Sequence, residues 1–222
     1  MEILRSVISL KNSAYKRALC ALFSVFLVLT MVFPGEVALA ASAPGNIAKF
    51  SMTGCSASTV SLCWSKVKGA SGYRIRRYDS KSKKWKTVLT ATKGSAIKGT
   101  VKKLSPATTY KLQIHAYKKA GKKTLYSKKA KTLTVATKPA KVTLQSVKAS
   151  GAKITVSWKK VAASGYQVIY ARNKQFKNGE SILVGGSNKA ATYYAPYNGT
   201  YYVHLRPYKN LNGKKYYGSW SN

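Results

Sequence analysis

The sequence predicts an all-β protein: two tandem antiparallel β-sandwiches behind an export leader, the second lacking its last strand. Three observations carry this. After Phe33 no segment keeps a helical period of apolar residues, whereas short runs with apolar residues at alternate positions recur between Gly-, Ser-, Asn- and Lys-rich turns. These runs return in the same order roughly 90 residues later, a spacing too long for a solenoid unit and long enough for a domain with its own core. The first 40 residues have a composition unlike the rest and read as a secretory signal peptide.

In the leader, Lys11, Lys16 and Arg17 precede sixteen uncharged, mostly apolar residues, Ala18 to Phe33, and Pro34-Gly35 then ends any helix. Ala38-Leu39-Ala40 places small residues at the two positions a signal peptidase reads, so cleavage is expected between Ala40 and Ala41. The apolar run sits at the short limit for a membrane span, which leaves an uncleaved anchor as the alternative. Cys20 lies near the start of that run and follows Leu19, which does not fit a lipidation site. The mature chain is expected outside the cytoplasm, with no membrane span after cleavage.

Two domains follow, over residues 44–138 and 139–222. Val60-Ser61-Leu62-Cys63-Trp64 returns as Ile154-Thr155-Val156-Ser157-Trp158, each a strand with one buried face. Val67 to Tyr73, ending in Ser71-Gly72-Tyr73, returns as Val161 to Tyr166, ending in Ser164-Gly165-Tyr166. Tyr110-Lys111-Leu112-Gln113-Ile114-His115-Ala116-Tyr117 returns as Tyr201-Tyr202-Val203-His204-Leu205-Arg206-Pro207-Tyr208, and Gly-Lys-Lys follows both times, at Gly121 and Gly213. Ala136-Thr137-Lys138-Pro139-Ala140 is the linker, since Pro139 offers no donor to a strand interior.

With these motifs in place, both copies resemble fibronectin type III domains, and so immunoglobulin-like sandwiches. The family's buried Trp on the second strand matches Trp64 and Trp158. Its Gly-Tyr opening of the third strand matches Gly72-Tyr73 and Gly165-Tyr166. Its Leu-x-Pro-x-Thr-x-Tyr corner matches Leu104 to Tyr110, where the resemblance implies that the Tyr110 hydroxyl bonds back to the backbone. The second copy lacks Leu-x-Pro and offers Tyr197-Asn198-Gly199-Thr200-Tyr201 instead. The implied structural core is Trp64, Tyr73, Tyr110, Trp158, Tyr166 and Tyr201. The lysine-rich style and the Tyr-Tyr-Gly-Ser-Trp ending are similar to domains in exported proteins of Gram-positive, clostridia-like anaerobes.

Two departures stand out. Tyr166, Val168 and Tyr170 alternate cleanly, but the first copy has Arg77 at the third place and the aromatic at Tyr78, which predicts a bulge or a strand leaving the core there. Thr132 to Thr137 reads as a seventh strand in the first copy and has no equivalent in the second, which ends at Trp220-Ser221-Asn222. A truncated or weakened domain is the plain account; a strand donated by another chain is the other.

Charge narrows the function. The chain holds 40 Lys and Arg against 4 Asp and Glu, and beyond the leader the acids are Asp79 and Glu180. Such a surface attracts anions, whether wall polymers, sulfated glycans, lipid headgroups or nucleic acid, unless the lysines are only a solvated coat. Anionic cell-wall polymers or glycans are the expected partners, with protein partners also allowed. Specific nucleic-acid recognition is not expected, because no known reading motif is present. The hairpin after the sixth strand offers Lys118, Lys119, Lys122 and Lys123 in the first copy. The second offers Lys209, Lys214 and Lys215 with Tyr216 and Tyr217. The alternative for the aromatics is that Tyr216 and Trp220 fold back on their own sandwich. A second patch is Arg74, Arg76 and Lys81 to Lys86, with both arginines pointing away from the core side of Ile75.

Catalysis is not expected. Glycoside hydrolysis uses two carboxylates at a fixed separation, and Asp79 and Glu180 fall on turns in different copies, where solvation is expected. His115 and His204 are placed on the solvent face. No nucleophile motif, phosphate loop, metal-ligand cluster or cofactor motif is present. Cys55 and Cys63 are a candidate disulfide, since an exported pair can bond, although the strand reading separates them along a hairpin. Asn198-Gly199-Thr200 is a formal sequon, inert if the source is bacterial. The expected role is a non-catalytic secreted or envelope-associated adhesion or spacer protein retained by charge. The alternatives are a fragment of a larger secreted hydrolase, contributing carbohydrate-targeting domains, and a cationic factor acting on membranes or DNA.

Overall fold

Alternation of apolar and polar residues becomes two stacked pairs of sheets in the computed structural model, which describes residues 42–222. The leader expected over residues 1–40, and its cleavage point, lie outside the described residues. The first half contains β1 (Phe50–Cys55), β2 (Val60–Trp64), β3 (Gly72–Asp79), β4 (Lys84–Ala91), β5 (Lys98–Val101), β6 (Thr109–Ala120), β7 (Lys123–Tyr126) and β8 (Lys131–Ala136). One sheet has the order β1-β2-β5, and the other β4-β3-β6-β7, with β8 also paired to β6. The second half contains β9 (Thr143–Ser150), β10 (Lys153–Lys159), β11 (Gly165–Ala171), β12 (Glu180–Gly185), β13 (Ala190–Tyr194), β14 (Tyr202–Leu211) and β15 (Lys214–Tyr217). Its sheets are β13-β10-β9 and β12-β11-β14-β15, and every pairing in both halves is antiparallel. The described residues form no helix, as the fold class requires.

Each half closes over its own core, and the repeated motifs lie inside it. Val60, Leu62 and Trp64 are buried on one face of β2, and Ile154, Val156 and Trp158 repeat this on β10. Trp64 packs on Tyr73 at 5.5 Å between ring centroids, and Trp158 on Tyr166 at 5.0 Å. The Tyr73 hydroxyl accepts from the Val67 amide at 2.9 Å, and the Tyr166 hydroxyl accepts from the Val161 amide at 3.1 Å. The aromatic body is thus buried while its polar tip is satisfied, the condition for placing Tyr in a core. At the corner preceding β6, the Tyr110 hydroxyl accepts from the Ser105 amide at 2.7 Å. The second copy closes its corner in the opposite sense, with the Tyr201 hydroxyl donating to the Tyr197 carbonyl at 3.2 Å. Tyr110 and Tyr201 are only half-buried and pack on the edge of each core.

A register shift does fall near Arg77, between Ile75 and Arg76, but its extra residue is Val88 of β4. β3 keeps an unbroken register with β6, so Arg77 stays on the side of Tyr73 and Ile75, with its guanidinium 5.4 Å over the Tyr110 ring. The candidate disulfide is not formed. Cys63 stands opposite Ser51 and Cys55 opposite Val60, so the β1–β2 register keeps the two thiols on separate cross-strand pairs, and both are free. Burial pushes the Cys55 thiol pKa up.

The difference in strand number also holds. β6 carries both β7 and β8, whereas β14 has no equivalent of β8 among the described residues. Instead the Gly218 amide donates to the Pro207 carbonyl and the Ser221 amide to the Leu205 carbonyl, both at 2.8 Å, so residues 218–221 run beside β14. Before the linker proline, Lys138 is tied down from both sides: its amide donates to Ser56 at 2.9 Å and its carbonyl accepts from Ala107 at 3.0 Å.

Candidate anion-binding face

Alternation along β6 sends Leu112, Ile114 and Ala116 into the core and leaves Lys111, Gln113, His115, Tyr117 and Lys119 on the outer face. On neighbouring β3, Arg74 stands opposite His115 and Arg76 opposite Gln113. Same-face positions on a strand recur every ~6–7 Å. The outer face of this sheet therefore carries a row of cationic and hydrogen-bonding groups at that spacing.

The two arginines are held, not loose. The Arg74 guanidinium lies 4.9 Å over the Tyr126 ring of β7. With the Gln113 amide turned to present its oxygen, that oxygen accepts from Arg76 Nε at 3.1 Å and Nη2 at 3.2 Å. His115 Nδ1 is 3.0 Å from the Ser127 carbonyl, and its ring meets the edge of Tyr126 at 6.3 Å. Arg74, Arg76, His115 and Tyr126 together line one depression, and Arg74 Nε is buried there without a hydrogen-bond partner. A guanidinium fork with a free donor suits a phosphate or carboxylate oxygen. The arginines are thus half-covered, where the sequence had placed them simply outward.

The hairpin lysines surround one end of this face. Lys119, Lys122 and Lys123 are exposed and Lys118 is half-buried. Gly121 takes φ 57° in a two-residue turn closed by the Ala120–Lys123 pair, the sign a type II′ turn needs at its first central position. The second-copy hairpin closes one residue earlier in the repeat, on Asn212 (φ 49°) and Gly213 (φ 78°), the signs of a type I′ turn. Lys81 to Lys86 run from the β3–β4 turn into β4, where Lys86 is the register partner of Arg77, next to Arg76. They occupy the β3–β4 hairpin, and the register puts that hairpin and the β6–β7 hairpin at opposite ends of the sheet. Lys86 is ion-paired with Asp79, and Lys81 donates its amide to the same carboxylate at 3.1 Å, which holds the Asp79 pKa well below its usual range. Asp79 is therefore a tethered turn residue; Glu180 is exposed in the other sandwich.

The second copy spends its aromatics on itself. Tyr217 lies under Arg206 at 3.8 Å, Arg206 also covers Trp220 at 4.2 Å, and Trp220 stacks on His204 at 3.9 Å. Phe176 covers the other face of His204 at 3.6 Å. Trp220 does fold back, as the alternative reading held. Lys214 lies 5.5 Å over Tyr216 and Lys215 lies 5.6 Å over Tyr208. Lys209, opposite Tyr216, is half-buried. His204 is on the predicted face but is covered, which corrects its placement in solvent. Burial, then the nearby Arg206 charge, lowers its pKa. Phe176 escaped the sequence reading because it lies in a polar loop and reaches His204 only with φ 56°, a backbone state that an aromatic residue rarely takes.

These geometries frame the comparison with known proteins. Residues 42–132 match the family model of the fibronectin type III domain. No curated protein matches the sequence. Among solved structures, a segment of two fibronectin type III domains from chicken tenascin is similar at 18% identity, covering 80% of this chain and 98% of its own, with a TM-score of 0.45. A structure of the FN1–FN3 domains of chicken CNTN1 is similar at 18% identity, covering 82% of this chain and 65% of its own, with a TM-score of 0.39. Fibronectin type III domains often serve as adhesion or spacer modules and are generally non-catalytic. Among the described residues, no three His, Cys, Asp or Glu side chains gather into a metal-binding group.

Proposed function

We propose that this chain is an exported, non-catalytic adhesion or spacer protein, held at the cell envelope of a Gram-positive bacterium by attraction to anionic wall polymers. Its two domains span residues 44–138 and 139–222 after removal of residues 1–40. The observation that carries this reading is the face of β3 and β6, where Arg74, Arg76 and His115 line one depression, Arg74 Nε lacks a partner, and the nearest lysines stay exposed. Lysines give general attraction, and the fixed guanidinium pair gives a place where an oxyanion is gripped. The wall-teichoic and uronic polymers of such envelopes carry repeated anions, to which a row of cations at strand spacing is suited.

The test is co-sedimentation with purified Gram-positive walls, intact or stripped of teichoic acid, across a salt series. Binding that falls steeply with salt and is lost on stripped walls supports the reading. An Arg74→Ser/Arg76→Ser variant, which changes half-covered surface residues, is expected to bind intact walls several-fold more weakly at fixed salt. Equal binding to both wall preparations at every salt concentration sinks the proposal.

A further inference from the structure

At one end of the second sandwich, a group of tyrosines surrounds the lone carboxylate of that half, and the anion-binding reading makes no use of it. Tyr170 and Tyr193 stack at 4.5 Å with their planes 16° apart, and Tyr193 meets Tyr201 at 6.1 Å. Tyr197 stands clear of them, 67% exposed, with the Arg172 guanidinium 5.9 Å over its ring. The hydrogen bond from Tyr201 to the Tyr197 carbonyl fixes the loop that presents it. Two shallow depressions of about 140 and 150 Å³ meet here, and both are lined by Tyr197 and Tyr201. Tyr170, Arg172, Asn178, Glu180 and Tyr193 contribute to one; Asn198 and Gly199 contribute to the other.

Two details point to a ligand. Tyr170 is only 1% exposed, lines the depression of about 150 Å³, and its hydroxyl has no hydrogen-bond partner. A buried hydroxyl left unpaired is uncommon and calls for an explanation. Glu180 is the register partner of Tyr170 across β11 and β12, so its carboxylate falls at the rim of the same depression. An acid at this rim, in a chain with so few acids, disfavours the polyanions that the other sandwich attracts.

A sugar ring has an apolar face of C–H groups and a rim of hydroxyls that both donate and accept. An exposed aromatic face flanked by a carboxylate, an amide and a phenol matches both parts. The depressions are smaller than the ~300–1,000 Å³ of an enclosing small-molecule pocket, and both are lined by the projecting Tyr197. We propose that this end of the second sandwich binds successive pyranose units of an uncharged glycan chain. Tyr197 stacks on one ring, and Glu180, Asn178 and the Tyr170 hydroxyl bond to the hydroxyls of its neighbour.

The site is tested with residues 42–222, which hold every described strand and both cores. Cellohexaose, xylohexaose, mannohexaose and chitohexaose are titrated separately by calorimetry and by amide NMR in ~1 M NaCl, where charge is screened to ~3 Å. At least one is expected to bind and to shift the amides of residues 170–201. Tyr197→Ala should weaken that binding about tenfold or more, the scale of one lost stacking contact, and Glu180→Gln should also weaken it, while Tyr216→Ala should not. No binding by any of the four at ~10 mM overturns the proposal, as does binding undiminished in Tyr197→Ala. Because salt suppresses the wall attraction, failure of either reading leaves the other standing.

Discussion

Trp64 and Trp158 hold the same place in the two copies and differ by one hydrogen bond. Trp64 Nε1 donates to the Ala96 carbonyl at 2.9 Å, whereas Trp158 Nε1 is buried without a partner. Trp64→Phe loses that bond as well as volume, and Trp158→Phe loses volume and relieves an unpaired donor. The first substitution should therefore cost about 1 kcal/mol more than the second in chemical denaturation. Equal costs would mean that the Trp64 bond contributes nothing. His204 carries a second expectation. Its folded pKa lies below the ordinary 6.5, so the unfolded chain takes up the proton first as pH falls. Its contribution to stability is complete above pH 6.5 and is lost as pH falls through the folded value. Urea midpoints should drop on acidification through this window, and His204→Phe should flatten the drop. The sequence placed both histidines on the correct face, because alternation along β6 and β14 fixes the face. It did not supply the cover of His204: Phe176 arrives from a loop with no pattern of its own, and Trp220 was legible only as folding back on its sandwich, not as stacking on this ring.

Strands were the most legible elements. The paired motifs ending in Trp64 and Trp158 and those opening at Gly72 and Gly165 are all where alternation put them. Register was less legible. It sends Lys81 to Lys86 away from the other hairpin, which neither distance along the chain nor residue type reveals, whereas the separation of Cys55 from Cys63 along the β1–β2 hairpin already followed from the strand reading. The Gly-Tyr pair has a spacing reason at this scale. A Cβ at Gly72 would sit 2.2 Å from the Ala91 carbonyl oxygen and 2.5 Å from the Tyr117 hydroxyl. A Cβ at Gly165 would sit 2.4 Å from the Tyr208 hydroxyl and 2.6 Å from the Val184 carbonyl oxygen. The tyrosine one strand over can turn, but the backbone carbonyl cannot. Gly72→Ala is expected to cost about 1–3 kcal/mol by overpacking, measured by denaturant midpoint, and a neutral result would show that β4 yields.

At the scale of the whole molecule, the described residues hold two cores of unequal size. Fourteen buried apolar residues form the first cluster and nine the second among the described residues. Burial of apolar side chains is the main favourable contribution to folding, so the second sandwich should melt first. Scanning calorimetry should resolve two transitions, with Trp158→Phe lowering only the earlier one. A single transition would mean that the two halves unfold as one cooperative unit. The absence of helix among the described residues has a further consequence, in time. Ser61 meets Thr100 across 39 positions, and Ser71 meets Lys119 across 48. Few native contacts can form before such long loops close, so folding belongs to the millisecond-to-second regime of all-β topologies. Throughout that interval a densely cationic chain repels itself. Counterions that screen this repulsion therefore act on the rate of collapse, and the medium in which the chain is released becomes part of how it folds.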